Sequence, residues 1–224
     1  MSDFLQFFSH IDGGEIALAS WETVAMLLGS LVLSVILGLP VGVWLSVTSP
    51  TGLAPNRFTY GVLSLIVNVL RSIPFVILFI LLIPVTLALV GTSLGVRGAI
   101  PPLVLGAAPF FARLVETALR EVEHAVVEAT QALGASKRQI IVHTLLPEAM
   151  PGLIAAITMT AIALVSYTAM AGVVGAGGLG DLAVRYGYQR FQTDVMVVTV
   201  ALIVVLVQGL QMLGDALVAR FHRK

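Results

Sequence analysis

Few residues in this chain have the types and spacing that catalysis needs. Its four histidines, His10, His124, His143 and His222, are scattered, and none pairs at i, i+4 as metal-binding histidines on one helix do. The absence of cysteine removes thiolate nucleophiles, disulfides and thiolate metal sites. The run GVVGAGGLG over Gly172–Gly180 is glycine-rich, but no Lys-Ser/Thr closes it and no strand is expected before it. It therefore does not read as a phosphate-binding loop. No catalytic residue, metal site, cofactor or nucleic-acid partner is expected on this chain. What remains is the chemistry of docking and of passage.

Docking points to Glu128–Pro147, EATQALGASKRQIIVHTLLP, the longest polar-rich interval in the chain. A helix should end at Gly134, a good residue for a left-handed turn or for close approach of another backbone. Ser136 and Gln139 have capping-box spacing, so a second short helix should begin there, run to about Leu146 and stop at Pro147. A short helix isolated in water is marginal. Glu128 and Arg138 suit charge-assisted hydrogen bonds across an interface. The alternative is a solvated loop between two spans.

Passage points to two further sets. Arg71 is the one charge between residues 58 and 96. At the bilayer centre an arginine costs about 2.5–3.5 kcal/mol on insertion scales, so it should face protein or water. It either attracts a carboxylate along a pathway, or pairs structurally with Glu116 or with carbonyls freed by Pro74. Ser166, Tyr167 and Met170 place polar and polarisable groups in an apolar stretch. They line a pathway, or the hydroxyls bond to local carbonyls or a neighbouring helix.

The elements that carry these residues are membrane spans. Of 224 residues, 58% are hydrophobic and 11% charged, with a mean hydropathy of +1.02. Soluble domains carry about 25% charged residues. An all-α polytopic domain with five spans is expected, over about 23–47, 58–82, 100–119, 152–172 and 195–214. Residues 1–20 read as an acidic lead-in whose Phe4, Leu5, Phe7 and Phe8 suit a headgroup region. A bent segment through Pro84, Gly91 and Gly95 should follow the second span. Arg113, Glu116 and Arg120 share a helix face where the third span leaves the membrane. Five glycines in Gly172–Gly180 require a close-packed or aqueous setting.

The cationic residues set the orientation. Arg57, Arg113, Arg120, Lys137, Arg138, Arg220, Arg223 and Lys224 fall on one side, and Arg97, Arg185 and Arg190 on the other. The first side is then cytoplasmic, with the C-terminus, and the N-terminus lies outside.

Glu128-Ala129, Gly134 six residues after the glutamate, and Leu146-Pro147 together resemble the cytoplasmic "EAA" loop of ABC importer permeases. Thr130 stands where that family has a second alanine and Thr144 where it has isoleucine. Val122–Ala125 lacks the usual Pro and Gly before the loop. Leu39–Gly42, Arg71–Phe75, Gly106–Phe110, Val174–Gly180 and Tyr186-Gly187-Tyr188 are similar to the permease subunit of bacterial methionine importers.

The resemblance implies a single permease domain over 1–224, with residues 1–20 periplasmic and about 121–148 as a cytoplasmic coupling loop. Its coupling residues would be Glu128, Ala129, Gly134, Ala135, Ser136, Arg138, Leu146 and Pro147. The chain would pair with itself and with two ATP-binding subunits, which hold ATP and Mg2+. A periplasmic or lipid-anchored binding protein would deliver methionine, in D or L form, or a similar amino acid. The site would be the bacterial cytoplasmic membrane. Against this stands a secondary transporter or channel without an ATPase, which usually carries intramembrane acids or inverted repeats.

Overall fold

The computed structural model describes residues 12–221, all helix, turn and loop. α1 spans Gly13–Thr48. Asp12 starts it by accepting the Gly14 amide at 2.8 Å, which satisfies one of the first turn's free N–H groups. The helix thus begins inside the expected lead-in; Phe4, Leu5, Phe7 and Phe8 lie outside the described residues. Pro40 sits within α1 and does not end it. The chain's two tryptophans, Trp21 and Trp44, are 68% and 56% exposed. About 34 Å of helix separates them at 1.5 Å per residue. That matches a hydrocarbon core of about 30 Å with an aromatic residue at each interface.

α5, Gly95–Arg120, packs along α1, and the two run parallel. Gly29 faces Ile100, Gly38 faces Ala108 and Phe111, and Gly42 faces Ala112 and Val115. Ser30, Ser34, Gly38 and Gly42 recur every four residues on α1 and are all buried. They form one face. A Cβ at Gly42 would lie 2.5 Å from the Ala112 carbonyl oxygen. Helices in lipid associate through this kind of close packing between small residues.

Two parallel spans need a crossing between them, and the span expected over 58–82 lies here, sharply bent where a straight helix was expected. α2, Arg57–Ser72, and α3, Phe75–Leu81, meet at a bend of 100°. Ile73 is extended (φ −79, ψ 125), the conformation that a following proline favours. α4, Ile83–Val90, continues the bent segment and ends at Gly91 with φ 77. Among the described residues four helices are long and apolar enough to span a membrane, or five with the bent pair taken as one.

The polar loop follows as α6, His124–Ala132, and α7, Lys137–Ile140. The expected stop at Pro147 is overturned. A π-helical turn, Ile141–Leu145, carries α7 onward, and Pro147 sits in the first turn of Leu146–Glu148. α8, Met150–Ala171, begins one residue beyond a bend at Ala149. The second helix of the loop therefore leads into the start of a span and is not an isolated piece.

α8 runs into the glycine-rich turn, where Gly175, Gly177 and Gly178 all have positive φ. Gly178 donates its amide to Glu22 Oε2 and Leu179 donates to Thr23 Oγ1, both at 2.8 Å. Gly172, Gly178 and Gly180 are buried, as the composition of the run requires. α9, Gly178–Leu182, a π-helical turn over Ala183–Tyr188, and α10, Thr193–Phe221, complete the chain.

Candidate functional site

The polar loop is held from beneath and free above. Ile140, Leu145, Val127 and Ala135 pack into the apolar cluster of Phe111, Val115 and Leu119 at the end of α5. The opposite face of α6 carries Ala125, Glu128, Ala129 and Ala132, all exposed. Leu133, just past the helix, is 88% exposed. An apolar knob on a polar loop has the chemistry to dock, and the sequence reading passed over it because a single leucine beside Gly134 carries no pattern. Among the described residues neither Glu128 nor Arg138 forms an ion pair. Both are exposed, so both remain available to a partner.

Gly134 takes φ +80, and a Cβ there would meet nothing within 4 Å. The left-handed turn, not close approach, is what requires glycine. Ser136 caps α7: its hydroxyl accepts the Gln139 amide, and the Gln139 side chain accepts the Ser136 amide at 2.8 Å. The capping box is formed as its spacing indicates. Thr130 and Thr144, two of the departures from the family pattern, lie opposite each other with hydroxyls 3.3 Å apart. Thr130 donates to the Val126 carbonyl at 2.8 Å, so Thr144 is left to donate to Thr130. Leu146 is half-buried and Pro147 exposed at the far end of the loop. A polar cavity of about 430 Å³ lies between α6 and the turn after α1, lined by Ser49, Arg120, His124, Glu128 and Gln131.

Behind the loop, Glu116 is 1% exposed and sits between two arginines. Arg113 approaches it at 2.6 Å, and Arg120 closes on its other oxygen. Tyr60 donates to Glu116 at 3.1 Å, and Arg113 donates to Ser64 Oγ and Asn68 Oδ1, both at 2.8 Å. Tyr60, Ser64 and Asn68 recur every four residues on α2, a polar stripe legible in sequence but missed. A buried carboxylate is held by such a full set of donors. Glu116 is therefore not the partner of Arg71.

Arg71 instead lies over the Phe110 ring, 5.6 Å from its centroid. It shares a cavity of about 110 Å³ with Phe75, Phe110 and Tyr167. Phe75 and Tyr167 stack with centroids 4.6 Å apart and 3° between planes. The structure thus brings Arg71 and Tyr167 together. Ser166 and Met170 lie elsewhere on α8, on an exposed stripe with Met159 and Val173. Thr158, Thr160 and Thr168 turn their hydroxyls onto backbone carbonyls of their own helix.

These spans, with one anchored polar loop on one side and a glycine turn on the other, define a polytopic transport permease of the helical class. Residues 38–224 match the family described as binding-protein-dependent transport system inner membrane component, and the chain belongs to it. It is 48% identical over 206 residues to a Vibrio cholerae protein named probable D-methionine transport system permease protein MetI, covering 92% of each chain. It is 46% identical to the Bacillus subtilis methionine import system permease protein MetP, covering 95% of this chain and 96% of the relative. It superposes on a chain of the MetNI methionine ABC transporter in inward-facing conformations with TM-score 0.92 and 47% identity, covering 93% and 97%. A chain from an amino acid ABC transporter shares the fold at TM-score 0.74 and 17% identity, covering 98% of this chain and 96% of that one.

Proposed function

We propose that this chain is the permease subunit of an ATP-driven importer of methionine, D, L or both. The observation that carries the substrate is near-half identity along almost the whole length of relatives named for methionine. Two copies form the pathway. Two separate ATP-binding subunits hold ATP and Mg2+, and a periplasmic or lipid-anchored binding protein delivers the amino acid. The polar loop is cytoplasmic and docks on the ATPase through Glu128, Ala129, Leu133, Gly134, Ala135, Ser136, Arg138, Leu146 and Pro147. The exposed Leu133 supports this reading, because an apolar side chain left in water at a loop tip gains from burial in a cleft.

ATP closes the ATPase pair and moves the docked loops. Because α7 continues into α8 through the π-helical turn, the motion reaches the membrane along one helix. Arg71 and Tyr167 face the path together, and the stripe of Ser166 and Met170 lines it. Each conformation must differ in affinity for its ligand for the cycle to run.

The test is purification in mild detergent from native membranes with mass spectrometry of what accompanies the chain. An ATP-binding subunit at equal stoichiometry, lost with Leu133→Asp or Gly134→Asp, is expected, followed by uptake of labelled methionine. A homo-oligomer with no nucleotide-binding partner would overturn the proposal and favour a secondary transporter.

A further inference from the structure

We propose that the crevice between α1, α4 and α5 binds one acidic phospholipid, with its phosphate on Arg97 and one acyl chain along the apolar wall. The crevice has a volume of about 430 Å³ and is lined by Leu33, Leu37, Leu89, Pro101, Leu105 and Arg97. Every one of these except Arg97 is apolar. Leu33, Leu37 and Leu89 are 42%, 55% and 69% exposed, so the wall is open to whatever surrounds α1 and α4.

Arg97 supplies the charge that selects the occupant. It is exposed, and among the described residues it has no ion pair, hydrogen bond or ring contact. It lies in the first turn of α5, which contains no acidic residue. The positive end of a helix disfavours a cation there and favours an anion beside it. A guanidinium at that place offers a phosphate paired, charge-assisted hydrogen bonds. A zwitterionic headgroup brings its own competing cation, and an acidic one does not.

The depth fits a lipid. Arg97 is three residues before Ile100, which faces Gly29, so it sits near the Trp21 end of α1. From Arg97 to Leu105 is about 12 Å of helix at 1.5 Å per residue. Half a hydrocarbon core offers about 15 Å, so the crevice takes one chain within one leaflet. That leaflet is the one away from the polar loop.

The full-length chain in mild detergent, titrated with phosphatidylglycerol or phosphatidylcholine and read by native mass spectrometry, tests this. Wild type should hold about one phosphatidylglycerol per chain and prefer it to phosphatidylcholine by about tenfold. Arg97→Gln should remove that preference, and Arg97→Lys should retain most of it. Leu33→Trp, at an exposed position, should weaken both lipids by filling the crevice. Unchanged phosphatidylglycerol affinity in Arg97→Gln would overturn the proposal. So would efficient disulfide formation between two copies through Leu37→Cys in this cysteine-free chain, since a second copy would then cover the wall.

Discussion

At the residue scale the structure explains two departures from the family pattern with one contact. Thr130 and Thr144 meet at 3.3 Å, where the family has alanine and isoleucine. Thr130→Ala removes the oxygen that Thr144 donates to, whereas Thr144→Ile leaves Thr130 its bond to the Val126 carbonyl, and both changes together restore an apolar pair. Thr130→Ala should lower stability by about 0.5–1.5 kcal/mol, and Thr144→Ile by less. The double variant should cost less than their sum, as a thermal-unfolding double-mutant cycle would show. Glu116 carries more weight. Glu116→Gln leaves Arg113 and Arg120 facing a neutral amide. A fully buried pair broken this way costs about 3–5 kcal/mol. The Arg120 side chain is 44% exposed and keeps some water, so about 2–3 kcal/mol is expected in detergent unfolding. The helix face shared by Arg113, Glu116 and Arg120 was legible from spacing. The partners on α2 were not, because which neighbour a helix face meets is decided by tertiary packing.

At the element scale the same residue type has opposite outcomes. Pro40 lies inside α1, and Pro74 separates α2 from α3. Both follow an apolar residue in an apolar stretch, so the sequence alone reads both as tolerated. The difference is in what receives the chain afterwards: Phe75 stacks on Tyr167 and packs in the central cluster, which holds the 100° bend. Pro147 misleads in the other direction, since a π-helical turn precedes it and the helix continues.

The α1–α5 seam gives a sharp prediction. Gly42→Val must push Val115 and the Ala112 carbonyl apart and should cost at least the 1–3 kcal/mol of ordinary overpacking. Gly61→Ala and Gly209→Ala, where a Cβ meets nothing within 4 Å, should leave folded yield in membranes unchanged. Between α1 and the last π-helical turn, Tyr186 donates to Glu15 at 2.7 Å. That hydrogen bond, with desolvation and the Glu15 charge, raises the phenol above its usual value near 10. The tie is therefore complete below pH 10 and is lost as pH rises through the higher folded value. Alkaline difference absorbance of wild type against Tyr186→Phe should show this one tyrosine ionising late.

At the scale of the whole molecule, hydropathy made the number and class of the spans legible, because a bilayer demands about 20 apolar residues per crossing. It did not reveal that Glu22 and Thr23 of α1 clamp the glycine turn 156 residues away. Nothing in a local window links a glutamate at the edge of one span to amides at the end of another. The proposed sidedness rests on the placement of arginine and lysine and is open to direct test. With no native cysteine, Leu133→Cys and Phe191→Cys each give one label site, at positions 88% and 85% exposed. An impermeant maleimide added to intact cells should label Phe191→Cys and spare Leu133→Cys until the cells are opened.

The π-helical turn at Ile141–Leu145 sets the phase between the loop and the span that follows it. Such a turn is an α-helix with one residue inserted, so it rotates everything beyond it by about 100° relative to an uninterrupted helix. Substitutions there alter contacts, whereas removing one residue alters timing. Deleting Val142, whose side chain is 46% exposed, should convert the turn to ordinary helix without opening a core cavity. The span would still insert and the loop would still present Leu133, but turned away from its present bearing. Such a chain should reach the membrane, bind its partner poorly or out of register, and fail to transport. Misaligned in this way, it would behave as a shaft with a slipped gear.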